Sequence, residues 1–180
     1  SLDTKPFYGN SNSGFTAHTK LDADTGEMHA MCYDYANNFN NINYVVLDKD
    51  GNHNSTHEIA FPRKSMLHEC AITANYIMVL DLTVTFSFYK LGRGYFPFSW
   101  NDKHQSRIGI LNRHNGSKEV QWFEIDPAYF FHTVNAYEDT SGNVVVDAAN
   151  YERLFDADLN GPFTESPPQL TRWELNVESG

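Results

Sequence analysis

Ile42-Asn-Tyr-Val-Val-Leu47 and His57-Glu-Ile-Ala-Phe61 flank a loop at 48–56 rich in Asp, Asn and Gly. Two short β-branched and aromatic runs around such a loop read as a β-hairpin. Working outward, the same grammar repeats. Residues 15–21 and 27–33 flank the turn Asp22-Ala-Asp-Thr-Gly26, and 107–111 and 120–125 flank a turn cluster at 112–118. Residues 129–137 and 144–147 flank Asp139-Thr-Ser-Gly-Asn143. The run 71–86, centred on Tyr76-Ile-Met-Val-Leu80, is the most apolar, and 170–177 is the last expected strand. Helical periodicity is confined to 150–154. The expectation is all-β, as a sandwich, a barrel or a propeller.

Bulk properties narrow the class. The 180 residues are one domain's worth of chain, with 41% hydrophobic, 20% charged and 14% aromatic residues, a globular composition. A formal net charge of −10 and the lack of a basic stripe exclude a nucleic-acid partner, because phosphate binding needs clustered Lys and Arg. Cys32 and Cys70 form neither a C-x-x-C pair nor a disulfide framework, which favours a reducing, cytoplasmic setting. No apolar run is long enough to span a bilayer. The chain opens at Ser1 directly into patterned sequence and reads as an internal segment of something longer.

Eight histidines are present, and three share a setting. His18 lies in Phe15-Thr-Ala-His-Thr-Lys20, His68 in Met66-Leu-His-Glu-Cys70 and His132 in Phe130-Phe-His-Thr-Val134, each on or at the start of an expected strand. They stand 50 and 64 residues apart, against about 40–50 residues for a propeller blade. One imidazole per innermost strand would converge on the axis as a site for Fe, Zn, Cu or Ni. Pattern alone favours ordinary core or hairpin histidines over ligands. His53, His57, His104 and His114 read as solvated, and His29 faces either way within its strand. Asp156-Ala-Asp-Leu-Asn-Gly161 copies the start of a calcium loop, but position twelve is Pro167, so a polar loop is the better reading. Cys70 reads as core packing.

Four stretches carry a resemblance. Phe15-Thr-Ala-His-Thr-Lys-Leu-Asp-Ala-Asp-Thr-Gly-Glu27 and His68-Glu-Cys-Ala-Ile-Thr-Ala-Asn-Tyr-Ile-Met-Val-Leu-Asp81 are the first two. Phe96-Pro-Phe-Ser-Trp100 with Ser106-Arg-Ile-Gly-Ile-Leu111 is the third, and Trp122-Phe-Glu-Ile-Asp126 with Phe131-His-Thr-Val-Asn-Ala-Tyr-Glu138 is the fourth. In this order they resemble the carotenoid cleavage oxygenase family, which includes lignostilbene dioxygenases and the retinoid isomerase of the eye. Thr19 departs from the family's usual proline.

The resemblance implies that residues 1–180 are one incomplete segment of a seven-bladed β-propeller, with blades on both sides missing. It implies Fe(II) held by four histidines, of which His18, His68 and His132 are three. The fourth, and the glutamates that orient the rings, are expected outside this chain. The implied reaction is O2-dependent cleavage of a conjugated C=C bond in a carotenoid, apocarotenoid or stilbene, giving two carbonyl products. This segment alone is expected to be inactive. Phe131 is the expected wall for the apolar or aromatic alkene, with plain packing as the alternative role. Lipophilic substrates go with peripheral membrane contact, although no amphipathic anchor is visible. An isomerase on the same iron scaffold and a non-catalytic interaction segment are the alternatives.

Overall fold

The computed structural model describes residues 14–34, 38–116, 119–158 and 165–180. Fourteen strands and one short helix are found among them. The first sheet is built from β1 (Gly14–Phe15), β2 (Lys20–Leu21), β3 (Met28–Tyr33), β4 (Asn41–Leu47) and β5 (His53–Ala60), ordered β1-β3-β4-β5 with β2 also on β3. The second is β11-β10-β7-β6, from β6 (Ala71–Ile72), β7 (Tyr76–Asp81), β10 (Arg107–Asn112) and β11 (Gln121–Glu124). The third is β12-β13-β14, from β12 (Thr133–Glu138), β13 (Val144–Asn150) and β14 (Gln169–Leu175). A ribbon of β8 (Val84–Phe86) and β9 (Phe98–Trp100) brackets α1 (Phe88–Gly92). All strand pairs within these sheets are antiparallel.

Strand alternation explains how the sheets stack. Successive residues of β7 point to opposite faces. Ile77 and Val79 therefore pack with Leu111 against Met31, Ile42, Tyr44 and Val46 of the first sheet. Met78 and Leu80 pack with Ile108 and Ile110 toward Val144, Val146 and Ala148 of the third. The second sheet is thus covered on both faces, which is why β7 and β10 read as continuous apolar runs. The outer strands β5 and β14 instead alternate exposed with more buried positions over most of their length and stay largely exposed. Antiparallel sheets stacked face to face are the propeller arrangement.

The hairpin loops form as their residues dictate. In Asp48-Lys-Asp-Gly-Asn52 the Asp48 carboxylate accepts from the amides of Asp50 (2.9 Å) and Asn52 (2.8 Å), and Gly51 takes φ 80°. Asp139-Thr-Ser-Gly-Asn143 repeats the arrangement: Asp139 accepts from Ser141 (2.8 Å) and Asn143 (2.9 Å), with Gly142 at φ 82°.

One expectation is corrected here. Residues 150–154 are not helical: Asn150 pairs with Gln169 at the end of β13. The helix is α1, where the Ser87 side chain accepts from Lys90 N and caps it. Five residues are too few to show a helical period. Of the calcium-loop-like string, 159–161 lie outside the described residues, as do 117–118 of the turn cluster and 161–164 beside the last prolines. Among the described residues no helix is long and apolar enough to cross a membrane.

Candidate metal centre

The sheet order puts β1 and β2, β6, and β12 at one edge of the three sheets. Each of the three singled-out histidines lies at or just ahead of one of these edge strands. His18 sits in the break between β1 and β2, His68 precedes β6, and His132 immediately precedes β12. The breaks matter, because a residue between ladder segments can leave the pleat and aim along the sheet edge. The β12–β13 pairing carries a register shift between Thr133 and Asn135, next to His132, the kind of irregularity that redirects a side chain.

The three rings meet. Centroids are 5.0 Å apart for His18 and His68, 4.4 Å for His18 and His132, and 5.4 Å for His68 and His132. One ligand atom from each lies within 4.8 Å of the others, so the group could hold a metal ion. The donor set suits one: all three are imidazoles, and burial first, then the rings of His18 and His132, push the His68 pKa below its ordinary value. A neutral imidazole keeps the lone pair that a metal needs. His132 is the most open, with 54% of its side chain accessible.

An aromatic wall stands beside the centre. Phe131 meets His68 edge-on at 5.2 Å and packs with Tyr129, Tyr151 and Phe155. Phe155 holds a φ of 58°, and its carbonyl accepts from Lys90 Nζ at 3.1 Å.

Glu69 escaped the sequence reading, which expected orienting glutamates elsewhere. Its side chain is only 3% exposed. One oxygen accepts from Lys20 Nζ and, at 2.9 Å, from the Thr133 hydroxyl; the other accepts from Thr133 N at 2.6 Å and lies 3.6 Å from His132 Nδ1. The signal was present: an acidic residue inside the apolar run 66–72 is buried with partners or not at all. The remaining histidines divide. His53 and His114 are exposed, whereas His57 is half-buried and stacked on Tyr44. His104 is buried against Asp81 at 2.9 Å, and His29 is buried with its Nδ1 2.7 Å from the Tyr44 hydroxyl, so the solvated reading of His104 is corrected.

Fold and site together define a propeller protein with a three-histidine cluster at the edge shared by its sheets. The family described as Retinal pigment epithelial membrane protein matches residues 1–180, and the chain belongs to it. It is 31% identical to a carotenoid cleavage oxygenase of Mycobacterium tuberculosis, over 97% of this chain and 43% of that protein. It is 32% identical to an isoeugenol monooxygenase of Pseudomonas putida, over 92% of this chain and 36% of that protein. The chain therefore spans under half the length of these relatives. The crystal structure of Pseudomonas brassicacearum lignostilbene dioxygenase superimposes with a TM-score of 0.77 at 26% identity, over 92% of this chain and 36% of that one.

Proposed function

We propose that this chain carries three of the iron ligands, His18, His68 and His132, of a non-heme Fe(II) dioxygenase that cleaves a conjugated carbon–carbon double bond. The observation that carries the reading is the meeting of three imidazoles from three different sheets. Relatives named carotenoid cleavage oxygenase and isoeugenol monooxygenase support an oxidative reaction on an apolar or aromatic alkene. A fourth histidine and the rest of a seven-bladed propeller come from outside these 180 residues.

When bound, Fe(II) supplies redox activation of O2. His18, His68 and His132 would hold the ion, each through a ring-nitrogen lone pair and none bringing a compensating negative charge. Phe131 offers its ring beside His68 as a wall for the alkene, orienting it and keeping water away. The balance closes with no further reductant: the double bond and the O–O bond break, and each former alkene carbon takes one oxygen as a carbonyl. Exposed Phe88, Tyr89 and Leu91 on α1 support peripheral contact with the membranes that dissolve lipophilic substrates.

The test is O2 uptake by the Fe(II)-loaded full-length protein with stilbene and apocarotenoid substrates under 18O2. One O2 consumed per alkene, with label in both carbonyl products, is the expected result. A geometrically isomerised alkene without label, or no reaction with either class, would sink the reading.

A further inference from the structure

Each of the three candidate ligands is attached to a different sheet, so something must hold three independent edges in register. A cluster of imidazoles has no mutual attraction of its own. Any protonated pair repels, and the edge strands that carry them are short, two residues for β2 and for β6. The residue that spans the edges is Glu69. Its backbone forms a parallel bridge with His18, and its carboxylate takes Lys20, two residues beyond His18. The same carboxylate takes both the amide and the hydroxyl of Thr133, which follows His132. Being bonded to His68, it ties all three ligand segments through one side chain. Cys70 adds a weaker link on the same side, its thiol donating to the His18 carbonyl at 3.9 Å.

We propose that Glu69 is the positioning residue of the metal centre, a buried carboxylate that fixes the His18 and His132 segments to His68 so that the three imidazoles face one ion. The inference rests on the metal reading above and deepens it. Glu69 is not itself a ligand in this assignment, because its oxygens are engaged by the clamp. The carboxylate also lies 3.6 Å from His132 Nδ1, so the ring stands beside the clamp that holds its segment.

The clamp needs a carboxylate in particular, since both oxygens act as acceptors. In Glu69→Gln the new amide group meets a donor whichever way it turns. On one side it faces the Lys20 ammonium, and on the other the Thr133 amide. The bulk of the side chain is unchanged, so a loss in this variant reports the bonds. Glu69→Asp keeps the charge on a shorter arm.

The experiment is a titration of the metal-free full-length protein with Co(II), read by its visible ligand-field spectrum and run well below the unfolding temperature. Wild type, E69Q, E69D and His132→Ala are compared. E69Q is expected to bind Co(II) 10- to 100-fold more weakly with a changed spectrum, and E69D to recover most of the affinity. Should E69Q fail to fold, Thr133→Val removes one arm of the clamp and is expected to weaken binding several-fold in the same direction. Wild-type affinity and spectrum in E69Q and Thr133→Val, alongside loss in His132→Ala, would overturn the positioning role and leave the metal centre standing. Equal binding by wild type and His132→Ala, or none by either, would overturn the metal centre and the positioning role together.

Discussion

His29 is enclosed by Tyr44 and Arg113 with 1% of its surface accessible. Burial first, then the Arg113 charge, lower its pKa from 6.5 to about 4. A histidine depressed in the folded state takes up its proton more readily when unfolded, so stability falls as pH drops from 6.5 toward 4. A shift of this size corresponds to at most roughly 3 kcal/mol. His29→Gln should flatten that slope, which denaturant unfolding at pH 7, 5.5 and 4.5 would read directly. Asp22 acts in a separate window. Its bond from Arg113 lowers its pKa from 3.8 to about 2, and the stability it contributes is lost only as pH falls through that range. Asp81, fully buried, accepts from His104 and from Arg107 Nε at 2.7 Å. Asp81→Ala strands both donors and should cost about 3 kcal/mol, checked by the midpoint of chemical unfolding. The shared apolar setting singled out His18, His68 and His132, but pattern alone favoured core or hairpin histidines, and only the family resemblance read them as ligands. The sequence hid His104, because its neighbours Asp102, Lys103 and Gln105 are polar while its partner Asp81 is distant in the chain.

At the scale of elements, the pairing of β10 with β11 sets Gly109 opposite Trp122. A Cβ at Gly109 would lie 2.8 Å from the Trp122 ring and 2.5 Å from Val120 Cγ1. The ring is also held from above by the Arg107 guanidinium, 3.8 Å from its centroid. Gly109→Ala should therefore destabilise by about 1–3 kcal/mol and shift the Trp122 fluorescence. An unchanged melting temperature would show that the ring can move aside. The hairpins were legible because Asp, Gly and Asn stand where their turns require them. The break between β1 and β2, which frees His18 from the pleat, was not, because Phe15-Thr-Ala-His-Thr-Lys20 alternates like one continuous strand. α1 was missed for the opposite reason: its aromatic residues have strand propensity, and only the Ser87 cap marks it.

At the scale of the whole molecule, stacking of three sheets is what turns separate histidines into one centre. Residue alternation in β7 sets two faces, each face recruits a neighbouring sheet, and the edges that result carry His18, His68 and His132 to a common point. All-β architecture was legible from turn spacing, but the stacking order was not, since it depends on pairings across the 82–106 excursion between β7 and β10. The most direct test is the iron bound per chain after anaerobic loading of the full-length protein with Fe(II), measured for wild type, His68→Ala and His132→Ala. About one iron per wild-type chain, falling severalfold or more in both variants, is the predicted result; wild-type iron content in the two variants would contradict it.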